Sequence, residues 1–511
     1  MKKRTLLIAA SMAFLIAASV FAGGGSAQSS ASSAGNRNGR AKDELVGAVS
    51  SLSTAVDPML ANFSSASSIG RHIYDYLVDY DDNNRVIGKI ATSWTRPDNL
   101  TWEFTINTAP YKFHNGDPLT MDDILFSVQR CFDIPQAMNF IKDVASVSVN
   151  GNKLIIKTTE PSNGLVYSMV GLVITSKKAV QAAGEQWGQI AVGTGPYRLA
   201  SFIPSNEVVL ERWDAHPSLK PAIRKITLRA VTDPTSRYIG IENGEFDFVD
   251  TVTTAGDIRR AQANTNLNTQ IMQTLGMRFM AVNASKAPFN NPLVREALQY
   301  TIDRASIISL HNGIDTPANT MISGSLPQHS DVKIGEFDPA KARQLLTQAG
   351  YPNGFSTTLW IYNDSWKTIA EMMQAVLAQA GITVTIEQFQ IGAFFERLDA
   401  GQHSMLLGSQ TADPYAVASL NMYYNNEFFG SAGNFGFYSN PQAMALIRQA
   451  LATPDAEEEI RLSRQVQELV AKDNPYYPIS YSSECRVTVK GLKGYKFYNT
   501  SQWYFGDASF E

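Results

Sequence analysis

Residues 111–130, YKFHNGDPLTMDDILFSVQR, press a strand end, a turn, a helix cap and an amphipathic helix into one short run. Just before it, residues 102–106 alternate bulky and polar side chains with the period of a half-buried strand. Asn115-Gly116-Asp117-Pro118 then supplies turn chemistry, because glycine tolerates positive φ and proline fixes its own. Thr120 stands at a helix N-cap, with Asp122 and Asp123 in the first turn, where carboxylates complement unpaired amides and the helix dipole. Ile124, Leu125 and Val128 make one apolar stripe, so the chain reverses here from strand into helix.

The same segment resembles F-H-(D/N)-G-x-P-x-T-A-x-D-(V/I)-x-F-S, the hallmark of the family 5 extracellular solute-binding proteins, which are the peptide, nickel and opine receptors of ABC importers. Four further motifs stand in that family's order. Residues 193–199, GTGPYRL, are similar to its GTGPY-x-L turn and strand, with VVLER at 208–212 following. Residues 243–247, NGEFD, resemble its x-G-E-x-D segment. PLVREAL at 292–298, continuing through Ile302-Asp303-Arg304, resembles its V-R-x-A-L-x-x-x-I-D-R helix. KARQLL at 341–346, ending in AGYP at 349–352, is similar to its K-A-x-x-L-L-x-x-A-G-Y-P helix. The resemblance covers nearly everything after Ala41.

A chain of 511 residues is longer than one hydrophobic core normally serves. With 44% hydrophobic and 18% charged residues it has the composition of a soluble globular protein. The net charge is −4, and basic residues cluster only at Lys2-Lys3-Arg4, which argues against a nucleic-acid partner. That cluster precedes an apolar run from Leu6 to Ala22, the pattern of an export signal over 1–22, with an uncleaved anchor as the alternative. No cysteine near Ala22 offers a site for lipid modification, so a soluble periplasmic protein is expected. Residues 23–41, rich in Gly, Ser, Ala and Asn, read as a flexible tether. Cys131 and Cys485 permit one disulfide or two buried thiols.

Local patterns predict a strand over 45–49, a helix over 67–77, a hairpin over 147–158 turning at Gly151-Asn152, strands near 199, 208–210 and 226–228, and a helix over 236–243. Beyond 270 the reading is a strand over 277–283, helices over 292–301, 339–349, 366–380 and 455–471, and strands over 357–362 and 382–389, the alternation of an α/β fold. The resemblance implies a two-lobed α/β periplasmic-binding-protein-like clamshell, in its large three-subdomain type II variant. Lobe I would take 42–275, with a smaller subdomain at 73–191, lobe II 276–480, and the tail 481–511 would return to lobe I. The chain would cross near 272–284 and 477–487, and two crossing strands make a hinge.

His72, His114, His216, His311, His329 and His403 lack metal-site spacing, and no nucleophile elbow, phosphate loop or H-E-x-x-H pair occurs. No cofactor and no catalysis are therefore expected. The ligand-contact candidates come from the resemblance. Tyr74 lies in IYDYLV at 73–78, similar to the family's I-Y-E-x-L-V, with Arg71 and His72 beside it. Tyr362 ends a strand and Trp366 follows Asn363 and Asp364. Core packing suits Tyr74 and Trp366 as well. Residues 407–415, LGSQTADPY, match the W-x-x-D-x-x-D-P of peptide-binding relatives, whose first Asp pairs with a peptide ammonium. Gln410 takes that place, with Thr411, Asp413 and Tyr415 completing the segment, so an uncharged side chain replaces a charge-assisted partner.

The implied function is that of a monomeric binding protein. It would capture a peptide or peptide-like solute between lobes and present it to ABC permease subunits in the inner membrane. Opines, oligosaccharides and nickel chelates are the family's other ligand classes. An exported hydrolase would need a catalytic group that the sequence does not show, and a periplasmic chaperone or signalling receptor is a third reading on the same scaffold.

Overall fold

Two long strands, Leu267–Val282 and Tyr476–Val489, run antiparallel through the middle of a large mixed sheet. Outward from Leu267–Val282 come Met405–Thr411, Phe355–Ile361 and Ile382–Gln388. Outward from Tyr476–Val489 come Phe248–Val252, Glu44–Val49, Lys225–Ala230, Glu207–Arg212 and Tyr197–Ile203, and Thr316–Pro317 pairs with the same long strand. The protein is described by a computed structural model over residue 37 and residues 39–60, 64–81, 85–141 and 143–511. The export signal and most of the expected tether lie outside the described residues.

The apolar interior divides on either side of the long pair. One core joins Leu45, Phe104, Ile226 and Val249 to Val487, Trp503 and Phe505 of the returning tail. The other cores draw on Phe279, Met280, Leu359, Leu406, Leu420 and Tyr477. The result is a two-lobed α/β clamshell. A separate four-stranded antiparallel sheet, built from Ala91–Asp98, Thr101–Ile106, Lys153–Thr158 and Val144–Asn150, packs on the first lobe's side. Gly151, at φ 60, turns the last of its hairpins.

The 111–130 segment folds as its chemistry dictates. Thr120 Oγ1 accepts the Asp123 amide at 3.3 Å while Asp123 Oδ2 accepts the Thr120 amide at 3.0 Å, a capping box that opens the helix Met121–Gln129. Asp123 Oδ1 also accepts the Lys177 amide, tying this helix to the start of the helix Lys177–Ala183.

Three expectations need correction. The first helix spans Ser64–Ile73, ending before Leu77. The Ile73 carbonyl accepts the Gly195 amide at 2.9 Å, and a Cβ at Gly193 would lie 2.0 Å from that same carbonyl. The GTGPY turn therefore abuts the helix end, and Tyr76 goes on into a bridge with Val173. The strand expected from 277 begins at Leu267, because its polar first half pairs with Tyr476–Val489 from Leu267↔Val489 to Gln273↔Ser483. The end of the expected tether is docked: Arg37 Nε lies 2.8 Å from Asp247 Oδ1, and Arg40 Nε donates to Asp247 Oδ2 at 3.2 Å. Asp247 is fully buried and also accepts the Val46 amide, which accounts structurally for the NGEFD motif. Cys131 and Cys485 are free, buried thiols, both pushed up to about 12 by burial.

The lobes meet through an aromatic stack across the cleft. Tyr415 of the second lobe stacks on Tyr167 of the first, ring centroids 5.0 Å apart. Gly164 permits the approach, since a Cβ there would sit 2.8 Å from the Tyr415 ring. Next to it, Asn163 donates to the Thr453 carbonyl across the gap. Glu459, 4% exposed, accepts one hydrogen bond from Gln328 at 2.8 Å, and burial pushes its carboxyl up to about 7. Because the folded state holds this proton more tightly than the unfolded chain does, the associated stability is full below pH 4.5 and is lost as pH rises toward 7. The Glu459→Gln variant should flatten that dependence and, at about pH 8, gain roughly 3 kcal/mol in urea unfolding. A wild-type slope retained by the variant would place the titration elsewhere.

Candidate functional site

In open α/β sheets, ligands gather beyond the carboxyl ends of parallel strands. Here Phe355–Ile361 runs parallel to Met405–Thr411, and both strands deliver their next residues to the same edge. After the second strand the chain makes a tight turn. Asp413 Oδ1 accepts the Tyr415 amide at 2.7 Å, and Ser419 Oγ accepts the Asp413 amide at 2.7 Å. These bonds hold an exposed carboxylate at the mouth of the cleft.

Asp413 and Pro414 form the second-lobe wall of a cavity of about 190 Å³. Arg71, Tyr80, Tyr167 and Gln502 are among the first-lobe residues that close it. Arg71 and Tyr80 also stand in the wall of a larger first-lobe cavity of about 430 Å³, together with Tyr74. The Arg71 guanidinium is held by Asp79 at 2.7 Å and by the Gln502 side chain, and it lies 4.3 Å over the Tyr498 ring. Burial opposes its charge, but Asp79 and the neighbouring tyrosines outweigh that and hold its pKa above the usual value. Burial, and after it the Asp413 charge across the cleft, push the Tyr80 hydroxyl up.

The structure sorts the sequence candidates. Arg71, Tyr74 and Asp413 stand in cavity walls. Tyr362 and Trp366 share a separate second-lobe pocket of about 130 Å³ with Arg278, His311 and Ser409, where the Tyr362 and Ser409 hydroxyls lie 3.2 Å apart. Trp366 is 4% exposed and packs mostly into the core behind. His72 is not brought to the cleft. Its Nδ1 faces the Ser68 carbonyl at 2.7 Å, its Nε2 accepts the Phe505 amide at 3.0 Å, and burial pulls its pKa down to about 4. It is a neutral imidazole that ties the tail to the first helix. Gln410 lies half-buried in the sheet opposite Met277 and enters none of these three cavity walls. Thr411 is exposed at the strand end, and Tyr415 is committed to the Tyr167 stack.

Sequence reading missed Asp79 and Tyr80, although the run YDYLVDY at 74–80 repeats Tyr and Asp in a stretch too polar for a core strand. It also missed Gln502, Tyr498 and Tyr504. These come from the returning tail, and nothing local marks them as neighbours of Arg71. Among the described residues, no group of three His, Cys, Asp or Glu is placed to hold a metal ion.

Comparison with known proteins places this geometry. The glutathione-binding protein GsiB of Escherichia coli (strain K12) is 27% identical over 490 residues, covering 92% of this chain and 95% of its own length. HbpA2 from Haemophilus parasuis superposes with a TM-score of 0.85 at 22% identity, covering 92% of this chain and all of its own. The periplasmic binding protein DppA from Helicobacter pylori, in complex with the peptide STSA, gives a TM-score of 0.71 at 24% identity, over 92% of this chain and 98% of its own. The family model described as "Bacterial extracellular solute-binding proteins, family 5 Middle" matches residues 85–431. With well over half its length under that model, the chain belongs to the family 5 bacterial extracellular solute-binding proteins.

Proposed function

We propose that this protein is the periplasmic capture component of an ABC importer, and that it holds a peptide-like solute between its lobes for delivery to membrane permease subunits. One observation carries the reading: a cavity whose walls come from both lobes, with the Asp413 carboxylate on one side and the Arg71–Asp79 pair on the other. The curated relative that binds glutathione and the solved relative holding a tetrapeptide support the same ligand class. The family captures solutes and does not transform them, so the protein is not an enzyme.

A ligand ammonium facing Asp413 makes a charge-assisted hydrogen bond, roughly twice as strong as a neutral one. Gln410, by contrast, stays in the sheet, so the charged role that the motif alignment took away from position 410 falls to position 413. The rest of the ligand lies against Tyr80 and Arg71. The long strands change register between Gln273 and Met277, opposite Ser483 and Tyr481, and we place the hinge there. A ligand bridging the lobes favours the closed form only through what it gains by touching both.

A tripeptide at about 100 times its dissociation constant should stabilise the protein by roughly 2.7 kcal/mol in a thermal-shift assay. Acetylating its amino terminus, or changing Asp413→Asn, should weaken binding about tenfold, or roughly 1.4 kcal/mol, by calorimetry. Mass spectrometry should recover the peptide intact. Failure of every peptide to bind, or recovery of cleaved product, would overturn the reading.

A further inference from the structure

The 430 Å³ first-lobe cavity contains a carboxylate that the fold leaves without a hydrogen-bond donor. Asp75 follows the first helix, is half-buried, and its Oδ2 has no hydrogen-bonding partner. The nearest cationic candidate is His216, whose Nε2 lies 3.7 Å from that oxygen, beyond hydrogen-bond reach. The Leu219 amide donates to His216 Nδ1 at 2.9 Å, so that nitrogen is an acceptor and the ring's proton sits on Nε2. His216 is thus anchored to the main chain and leaves Asp75 Oδ2 without a hydrogen bond.

The other charges around the cavity do not cancel the Asp75 charge. Arg71 is committed to Asp79. Lys89 and Lys496 line the cavity but are exposed residues, where solvent screens their charge. Tyr76, Tyr111 and Tyr504 share the wall with Asp75; burial pushes their hydroxyls up, and the Asp75 charge adds to it. A half-buried carboxylate without a donor is costly, and the cost is recovered when a ligand supplies one. Aromatic faces around a carboxylate suit an organic cation, which gains both a charge-assisted hydrogen bond and attraction to the rings.

We infer that this cavity is a specificity subsite for a cationic side chain, ammonium or guanidinium, with Asp75 as its determinant. The inference rests on the peptide reading above and narrows it to basic peptide-like solutes. Asp413 takes one positive group in the cleft, and Asp75 takes a second in the first lobe.

The test is calorimetric titration of the full protein with trialanine carrying lysine, arginine, Nε-acetyl-lysine, glutamate or leucine at each position in turn. At one position, lysine or arginine should bind at least about tenfold more tightly than acetyl-lysine or leucine, with glutamate weakest. Comparing the lysine and arginine arms shows which cation the subsite takes. Asp75→Asn should erase that preference and Asp75→Glu, which keeps the charge, should retain it, with unliganded melting profiles showing that both variants fold. If the peptides bind but the five side chains differ by less than about twofold at every position, the subsite is refuted and the peptide reading stands. If no peptide binds, that reading fails and this inference fails with it. A preference that survives Asp75→Asn would assign the cation to another residue.

Discussion

The antiparallel pairing of Leu267–Val282 with Tyr476–Val489 is the constraint on which the rest of the molecule depends. Among the described strands of the large sheet, every path from one lobe to the other passes through this pair. Each strand is long enough to serve one lobe with one half and the second lobe with the other, which is why the apolar interior separates on either side of it. The register shift between Gln273 and Met277 falls between those halves. There Thr274 Oγ1 donates to the Ser482 carbonyl at 3.1 Å and accepts the Gly276 amide at 3.2 Å, replacing regular ladder bonds with a side chain. Backbone polar groups thus stay satisfied where the ladder breaks, a requirement for any hinge that is not to unravel.

Because the chain crosses this seam twice, residues far apart in sequence meet in the cleft. Arg71 comes from the first helix, Gln502 from the tail and Asp413 from the second lobe's parallel edge. The arrangement separates rigid parts from adjustable ones. His72 and the Ile73 carbonyl fasten the tail and the GTGPY turn to one helix end, so Arg71, Tyr74 and Asp75 sit on a fixed platform. Asp413 is equally fixed by its own turn. What remains to move is the distance between the platforms, and the Tyr167–Tyr415 stack marks a point where they already touch.

Much of the fold was legible because it is local chemistry. The Thr120 cap, the Gly151 turn, the proline-started helices at Pro292 and Pro339 and the parallel strands beside them all follow from residues within a few positions of one another. Where a long-range contact overrode local periodicity, the reading slipped. The helical spacing through Leu77 lost to the close approach of Gly193 and Gly195, and the polar residues 267–273 became strand because a partner strand was waiting. The site was legible only in part. Tyr74 and Asp413 sit inside motifs, whereas His72 faces inward while its neighbour Arg71 reaches the cavities, because adjacent helix positions point in different directions. Tyr498 and Gln502 carry no local mark at all, since their place beside Arg71 is set by the returning tail.

A solute bridging Asp413 and the first-lobe platform should draw the lobes together about the paired strands. Small-angle X-ray scattering of the protein alone and saturated with a bound tripeptide measures this directly. A smaller radius of gyration and a shorter maximum dimension are expected in the complex, with unchanged mass. Superimposable scattering curves under proven saturation would contradict that closure.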